Sequence, residues 1–291
     1  MLEQILIQAL SGVSRGMVLF VVASGLTLVF GTMRIANFAH GSFYMLSAFL
    51  TYSIVNLVGD RTWGLVAALL AAPVIIAGFG ALIESSLLRR ISTRPHQYQL
   101  ILTYAITLIV ADGIKMLWGR NYHTVKRPAG LDGAVFIFDT PFPAYNLLLI
   151  AFGLVIAISL HLMLTQTRFG KTIRAAVADG EMIGALGVNV PRLFTGIFAL
   201  GAGLAGLGGA LAAPVGSVSL GLDSSIIIES FAVIIIGGVG SVTGALVGAL
   251  LIGLLQSIGI LFAPKLAIAF IFVALCVVLV IRPQGLMGRA T

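Results

Sequence analysis

Few side chains in this sequence have the types and spacing that chemistry requires. Gly170-Lys171-Thr172 matches the end of a phosphate-binding loop, but the glycine that should open the motif falls at Thr165 and no buried strand precedes it. Nucleotide binding by this chain is therefore not expected. Glu84, Asp112, His161 and Glu229 are ionisable groups inside or near long apolar runs. An isolated carboxylate at mid-membrane costs about 2.5–3.5 kcal/mol, so each needs a partner or a wet cavity. Glu84 lies close to Arg89 and Arg90, and Asp112 sits three residues before Lys115 on the same helical side, so both are expected to pair locally. Glu229 is expected near the start of its helix, where the dipole favours negative charge. No nucleophile, base and orienting group assemble from the pattern, so no catalytic residue is assigned and the chain is not read as an enzyme. His40, His96, His123 and His161 lack ligand spacing, so no metal site is expected. The single Cys276, in the last apolar run, excludes an internal disulfide and reads as packing.

Three polar stretches remain. Thr165 to Arg192 is an island in oily surroundings, and on a helical wheel Ile173, Ala176, Val177, Gly180, Gly184 and Gly187 fall together beside a face carrying Lys171, Arg174 and Glu181. A short helix with one smooth and one charged side suits docking into a groove of another protein, and equally an amphipathic loop on the lipid surface. Pro191 disfavours helix at Val190 and would return the chain to the membrane there. Asn37-Phe38-Ala39-His40-Gly41, after Arg34, joins the first two apolar runs; it either lines a polar cavity or lets His40 cap a helix at the interface. Gly237 to Gly244 exposes backbone amides and carbonyls, as a broken helix facing a charged solute would, or forms a tight helical hairpin.

The elements that hold these stretches follow from composition. Hydrophobic residues make up 59% of the 291 positions and charged residues 9%, too few polar groups to cover a water-soluble core. Apolar runs of about 17 to 25 residues match a helix crossing a hydrocarbon core roughly 30 Å thick, and they are continuous rather than alternating, so strands of a barrel are excluded. The reading is all-α: a polytopic membrane helical bundle of about eight transmembrane helices plus broken or partial helices, one domain over residues 1–291 with a polar loop at 165–192. The runs are Gln4 to Phe30, Gly41 to Val58, Gly64 to Leu88, Tyr98 to Trp118, Tyr145 to Leu164, Leu193 to Ala213, Ser225 to Phe262 and Leu266 to Ile281. The seventh is too long for one helix and is split by glycines between Gly237 and Thr243. With Glu3 in place of a basic region, the N-terminus reads as a retained segment.

The formal net charge of +7 sits mostly at run ends, without the aromatic interleaving of a nucleic-acid stripe, so membrane lipid is the expected surface and nucleic acid is not. With 165–192 in the cytoplasm, Arg34, Arg89, Arg90, Arg94, Arg168, Lys171, Arg174, Arg192, Arg282 and Arg289 lie inside. Arg15, Arg61, Lys115, Arg120, Lys126, Arg127 and Lys265 then lie outside, and that orientation has the positive excess inside. Gly240, Gly244 and Gly248, and Gly201, Ala205, Gly209 and Ala213, recur every four residues and predict close helix packing.

Gly25-Leu26-Thr27-Leu28-Val29-Phe30-Gly31 followed by Asn37-Phe38-Ala39-His40-Gly41-Ser42-Phe43-Tyr44-Met45 resembles the opening of LivH-type permeases of branched-chain amino acid ABC importers. Arg174-Ala175-Ala176 through Asp179, Ala185, Leu186, Gly187 and Val188 is similar to their cytoplasmic coupling segment, with Arg174 where the general motif has glutamate. Ile236 to Ser241 and Arg282-Pro283-Gln284-Gly285-Leu286 also match, in the same order along nearly the whole chain. The resemblance implies a second related permease subunit, two cytoplasmic ATPase subunits and an external or periplasmic substrate-binding protein as partners. It implies no cofactor in this chain, with ATP and Mg held by the ATPases, and a bacterial cytoplasmic (inner) membrane location. Leucine, isoleucine and valine, or related amino acids and amides, would be carried by alternating access. Arg174, Ala175, Ala176, Asp179, Gly180, Glu181, Gly184 and Gly187 are then the expected ATPase-coupling residues. Asn37, Phe38, His40, Gly41, Ser42, Gly237, Gly238, Gly240, Ser241 and Thr243 are the expected path or gate. The alternatives are an ion-coupled secondary transporter of small amino acids or amides using Asp112 or Glu229, and a channel with the glycine junction as filter.

Overall fold

The computed structural model describes residues 2–92, 94–137 and 140–288, without the side chains of Leu2 and Ile268. Helices are α1 (Leu2–Met33), α2 (Ala39–Val58), α3 (Arg61–Ile83), α4 (Arg89–Ile91), α5 (His96–Trp118), α6 (Ala144–Gln166), α7 (Arg168–Ala178), α8 (Gly180–Ala185), α9 (Val190–Ala212), α10 (Leu222–Gly237), α11 (Val242–Phe262) and α12 (Ala267–Ile281). A π-helical turn, Glu84–Leu88, joins α3 to α4 in one rod. Among the described residues, seven helices are long and apolar enough to cross a membrane; α10 and α12 are shorter, at 16 and 15 residues. The long run after Ser225 breaks at Gly237–Ser241 as expected. Arg289, counted with the inside cations, lies outside the described residues.

Polar side chains start the helices where the backbone has unsatisfied amides. Asp60 Oδ1 accepts from Thr62 and Trp63 N–H at 2.8 Å each, opening α3. Thr167, Asp179, Asn189 and Ser241 do the same for α7, α8, α9 and α11. α9 therefore starts at Val190 with Pro191 in its first turn, where the missing N–H would have had no helical partner anyway.

α1 is the spine of the bundle, packed against α11, α9, α6 and α10, while α9 also packs on α3 and α2. The small-residue face of α9 permits this approach. A methyl at Gly201 would overlap Val29 and the Gly25 carbonyl, and Ser47 Oγ donates to the Gly206 carbonyl at 2.5 Å. On α11, Gly244 and Gly248 meet α10, but Gly240 stands in the connecting turn and abuts Gly31, so the predicted three-glycine stripe is a two-glycine stripe. On its other face, α11 presents Gly253 to Gly12 and Gly16 of α1.

The end opposite the polar island carries two short antiparallel ladders that hydrophobic periodicity did not indicate. β1 (His123–Thr124) pairs with β4 (Ser217–Val218), and β2 (Ala134–Ile137) with β3 (Thr140–Pro143). Cys276, expected as packing, is exposed on α12.

Candidate translocation and coupling site

The polar island folds into two helices rather than one, because the backbone extends at Asp179 and its carboxylate starts α8 by accepting from Met182 N–H at 2.9 Å. The two halves face different neighbours. Ile173 and Ala176 of α7 are buried in the core with Leu160 of α6 and Ile197 of α9. The Arg174 guanidinium donates to the carbonyl of Leu164, at the end of α6. Ala175 is half-buried. α8 and its flanks are open: Val177, Met182 and Leu186 are exposed, as are Asp179, Glu181, Gly184 and Gly187, and a Cβ added at Gly180 or Gly184 would meet nothing within 4 Å. The smooth side of the wheel is thus split, with Ile173 and Ala176 anchored inward and Val177 and the glycines turned outward. Gly170-Lys171-Thr172 lies within α7, directly after α6.

Beside α7 opens a cavity of about 1230 Å³. Arg34, His96, His161 and Arg174 contribute basic groups, and Thr27, Gln99, Ser241, Thr243 and Gln284 contribute neutral polar ones; among the described residues no Asp or Glu lines it. Arg34, Arg174 and the 283–288 tail share this one space, so the sequence's inside groups meet at one end of the molecule. Arg34 is the only described non-glycine residue with positive φ, at 55°, where α1 ends.

Of the expected path residues, Gly240, Ser241 and Thr243 line the cavity. Asn37, His40, Gly41 and Ser42 do not: all are buried. Asn37 Oδ1 accepts from Ala39 N–H at 3.1 Å, and the His40 ring meets the Val22 carbonyl at 2.9 Å. Gly41 lies under the Asp223 carbonyl. His40 therefore neither lines the cavity nor caps a helix at the interface; it fastens the start of α2 to α1. Phe38, partly exposed, meets Phe231 in a tilted ring contact with centroids 5.5 Å apart.

The Gly237–Gly244 stretch is a tight helical hairpin closed by the C-terminal tail. Leu286 and Met287 N–H donate to the carbonyls of Ile236 and Gly237 at 2.8 and 2.9 Å, capping α10. Gly238, at φ 103°, lies against Gly285 and Gly288, where a side chain would overlap backbone. The Gly237 carbonyl, expected among those facing a solute, is thus occupied by the chain's own tail. Only distant segments brought together by folding could reveal this.

The carboxylates divide in the same way. Glu84, with a side chain only 3% exposed, accepts from Arg89 at 3.0 Å and from Thr195 Oγ1 at 2.6 Å, and Arg89 also donates to the Pro191 carbonyl at 3.2 Å. Local pairing was expected there; the link to α9 was not. Asp112 pairs with Lys115 at 3.5 Å, as expected. Glu229 departs from expectation. Its helix starts at Leu222, so it stands past the first turns, and it pairs with Arg15 at 2.8 Å. Arg15, assigned to the outside set, stands within α1 at 13 residues from the nearer described end, roughly 20 Å of helix. An arginine inside an apolar run is itself the signal that could have found this pair.

The family model described as "Branched-chain amino acid transport system / permease component" matches residues 8–281. The LivH high-affinity branched-chain amino acid transport system permease protein of Escherichia coli is 26% identical over 97% of this chain and 95% of its own length. The BraD permease protein of Pseudomonas aeruginosa is 26% identical over the same shares. The ribose import permease protein RbsC of Haemophilus influenzae is 24% identical over 83% of this chain and 71% of its own length. No solved structure matches the chain.

Proposed function

The chain belongs to the family of permease components of branched-chain amino acid transport systems, and we propose that it is the membrane-spanning permease subunit of an ABC importer moving branched-chain or related amino acids inward by alternating access. It is a multi-pass protein of the cytoplasmic membrane. In this reading two cytoplasmic ATPases supply the energy, a second permease completes the path, and an external binding protein delivers the solute. ATP and Mg belong to the ATPases.

The observation that carries the reading is the division of the island: α7 is anchored to the bundle by Ile173, Ala176 and Arg174, while Val177 at its end, Met182 of α8 and Leu186 just after it face outward next to the basic cavity. A part that transmits force needs one half fixed to the path and the other half free to be gripped. The ATPases must grip it differently in their two states, or nucleotide would shift nothing. Gly240, Ser241 and Thr243, with the basic groups of the cavity, are the proposed inner path. Arg174, Ala175, Ala176, Asp179, Gly180, Glu181, Gly184 and Gly187 are the proposed coupling unit. The ion-coupled alternative is disfavoured because Asp112 and Glu229 are each held in an ion pair and the relatives are named as permease components.

The test is copurification with the neighbouring ATPase subunits before and after Gly180→Glu and Gly184→Glu. Space is open at both glycines, so the fold should hold. ATPases are expected with the wild type and not with the variant. A well-folded wild type that never retains an ATPase overturns the reading.

A further inference from the structure

A second cavity, of about 340 Å³, opens beside the Arg15–Glu229 pair, at the small end of the usual range of roughly 300–1,000 Å³ for small-molecule sites. Both charges line it, with side-chain exposures of 46% and 16%, so the pair faces the cavity instead of being sealed in packing. Asn146 and Ser257 add polar groups, and the Asn146 Oδ1 atom is buried without a hydrogen-bond partner. Leu149 and Ile226 supply an apolar wall. Ionisable groups within a membrane-spanning segment face a protein interior or a wet path rather than lipid.

We infer that this cavity is a binding subsite for a zwitterionic α-amino acid in transit, with Arg15 holding the carboxylate, Glu229 the ammonium group, and Leu149 and Ile226 the side chain. The inference rests on the permease reading above and adds the place where solute contacts this chain. A guanidinium suits a carboxylate through paired N–H donors, and a carboxylate suits an ammonium. The closed ion pair is the resting form. When a zwitterion enters, each protein charge exchanges its intramolecular partner for one on the solute, so the largely buried Glu229 carboxylate keeps a cationic partner. A solute lacking either charge would leave Arg15 or Glu229 without a partner and would be rejected, as sites built around polar partners do.

The assembled complex, reconstituted with its ATPases and binding protein, carries the test. With Cys276→Ser and Ser257→Cys in this chain, a methanethiosulfonate reagent is applied and modification at residue 257 is read by mass spectrometry. L-Leucine at ten times its dissociation constant is expected to slow modification about tenfold. Leucinamide, which lacks the carboxylate, and 4-methylpentanoate, which lacks the ammonium, are expected to give no protection, and Glu229→Gln is expected to abolish that by leucine. Alongside, the Arg15→Met/Glu229→Met double variant removes both charges without leaving one unpaired, so a purely structural pair would be spared. Leucine uptake by this variant is expected to fall at least about tenfold while the complex still assembles. Uptake at the wild-type rate overturns the subsite, as does a wild-type complex that takes up leucine yet shows no protection at residue 257. If the double variant fails to assemble, the protection measurement decides alone. A wild-type complex that takes up no amino acid sinks the permease reading itself, a result separable from either of these.

Discussion

The amide of Leu286 donates to the carbonyl of Ile236 at 2.8 Å, joining two segments that lie fifty residues apart and tying the end of the chain to the turn between α10 and α11. Met287 repeats the contact on Gly237, and Gly285, at φ 81°, lets the tail bend close enough to make both. Gly285→Val should therefore be strained twice, by its backbone angle and by overlap with Gly238 and the Ile235 carbonyl. We expect a loss of about 1–3 kcal/mol, read as a lower melting temperature in detergent together with faster amide exchange at Gly237 and Gly238.

Glu84 is the buried partner of Arg89 and Thr195, at the π-helical turn that joins α3 to α4. Arg89→Met strands a buried carboxylate and should cost roughly 3 kcal/mol, the lower end for such pairs because Arg89 is partly exposed. Glu84→Gln should cost less, since the amide can still bond Thr195. A double-mutant cycle of Glu84→Gln with Thr195→Val on thermal or denaturant stability checks the link to α9; additive losses would mean that the Glu84–Thr195 contact does not couple the α3 rod to α9 energetically.

Arg174 is bonded to the Leu164 carbonyl and also lines the basic cavity, so it stands between the exposed part of the proposed coupling unit and the proposed path. Arg174→Ala should leave assembly intact while lowering uptake about tenfold relative to ATP hydrolysis, since one charge-assisted bond in the linkage is lost. The ratio of solute moved to ATP hydrolysed is the measurement. An unchanged ratio would assign Arg174 to helix capping alone.

Gly201 meets Val29 and the Gly25 carbonyl where α9 crosses α1. Gly201→Leu should separate the two helices and cost about 1–3 kcal/mol or more, as overpacking does. Gly78 lies in the same membrane region with nothing within 4 Å of an added Cβ, so Gly78→Leu should be tolerated. Yield of folded protein by size exclusion separates the two outcomes.

Much of the architecture is legible in the sequence. The hydrocarbon thickness fixes a helix length and the composition excludes a soluble core, so the long spans and the break at Gly237–Ser241 follow from one-dimensional pattern. The local pairs Glu84–Arg89 and Asp112–Lys115 follow from helical spacing. Likewise, the polar island marks itself by contrast with its neighbours. The two short ladders did not show, because two- to four-residue strands carry too little periodicity to detect.

What the sequence by itself determined is what local rules govern: helix length, small-residue faces and the charges gathered at one end. What only the tertiary structure decided is which distant residues share a space. Arg15 and Glu229 lie 214 positions apart, the tail and the glycine turn about fifty, and His40 meets a carbonyl eighteen residues earlier. In lipid, apolar faces are nearly interchangeable, so hydrophobic pattern says that helices exist but not which ones touch. The partners are chosen by close glycine contacts and by the need to satisfy buried polar groups, and both are properties of the assembled bundle.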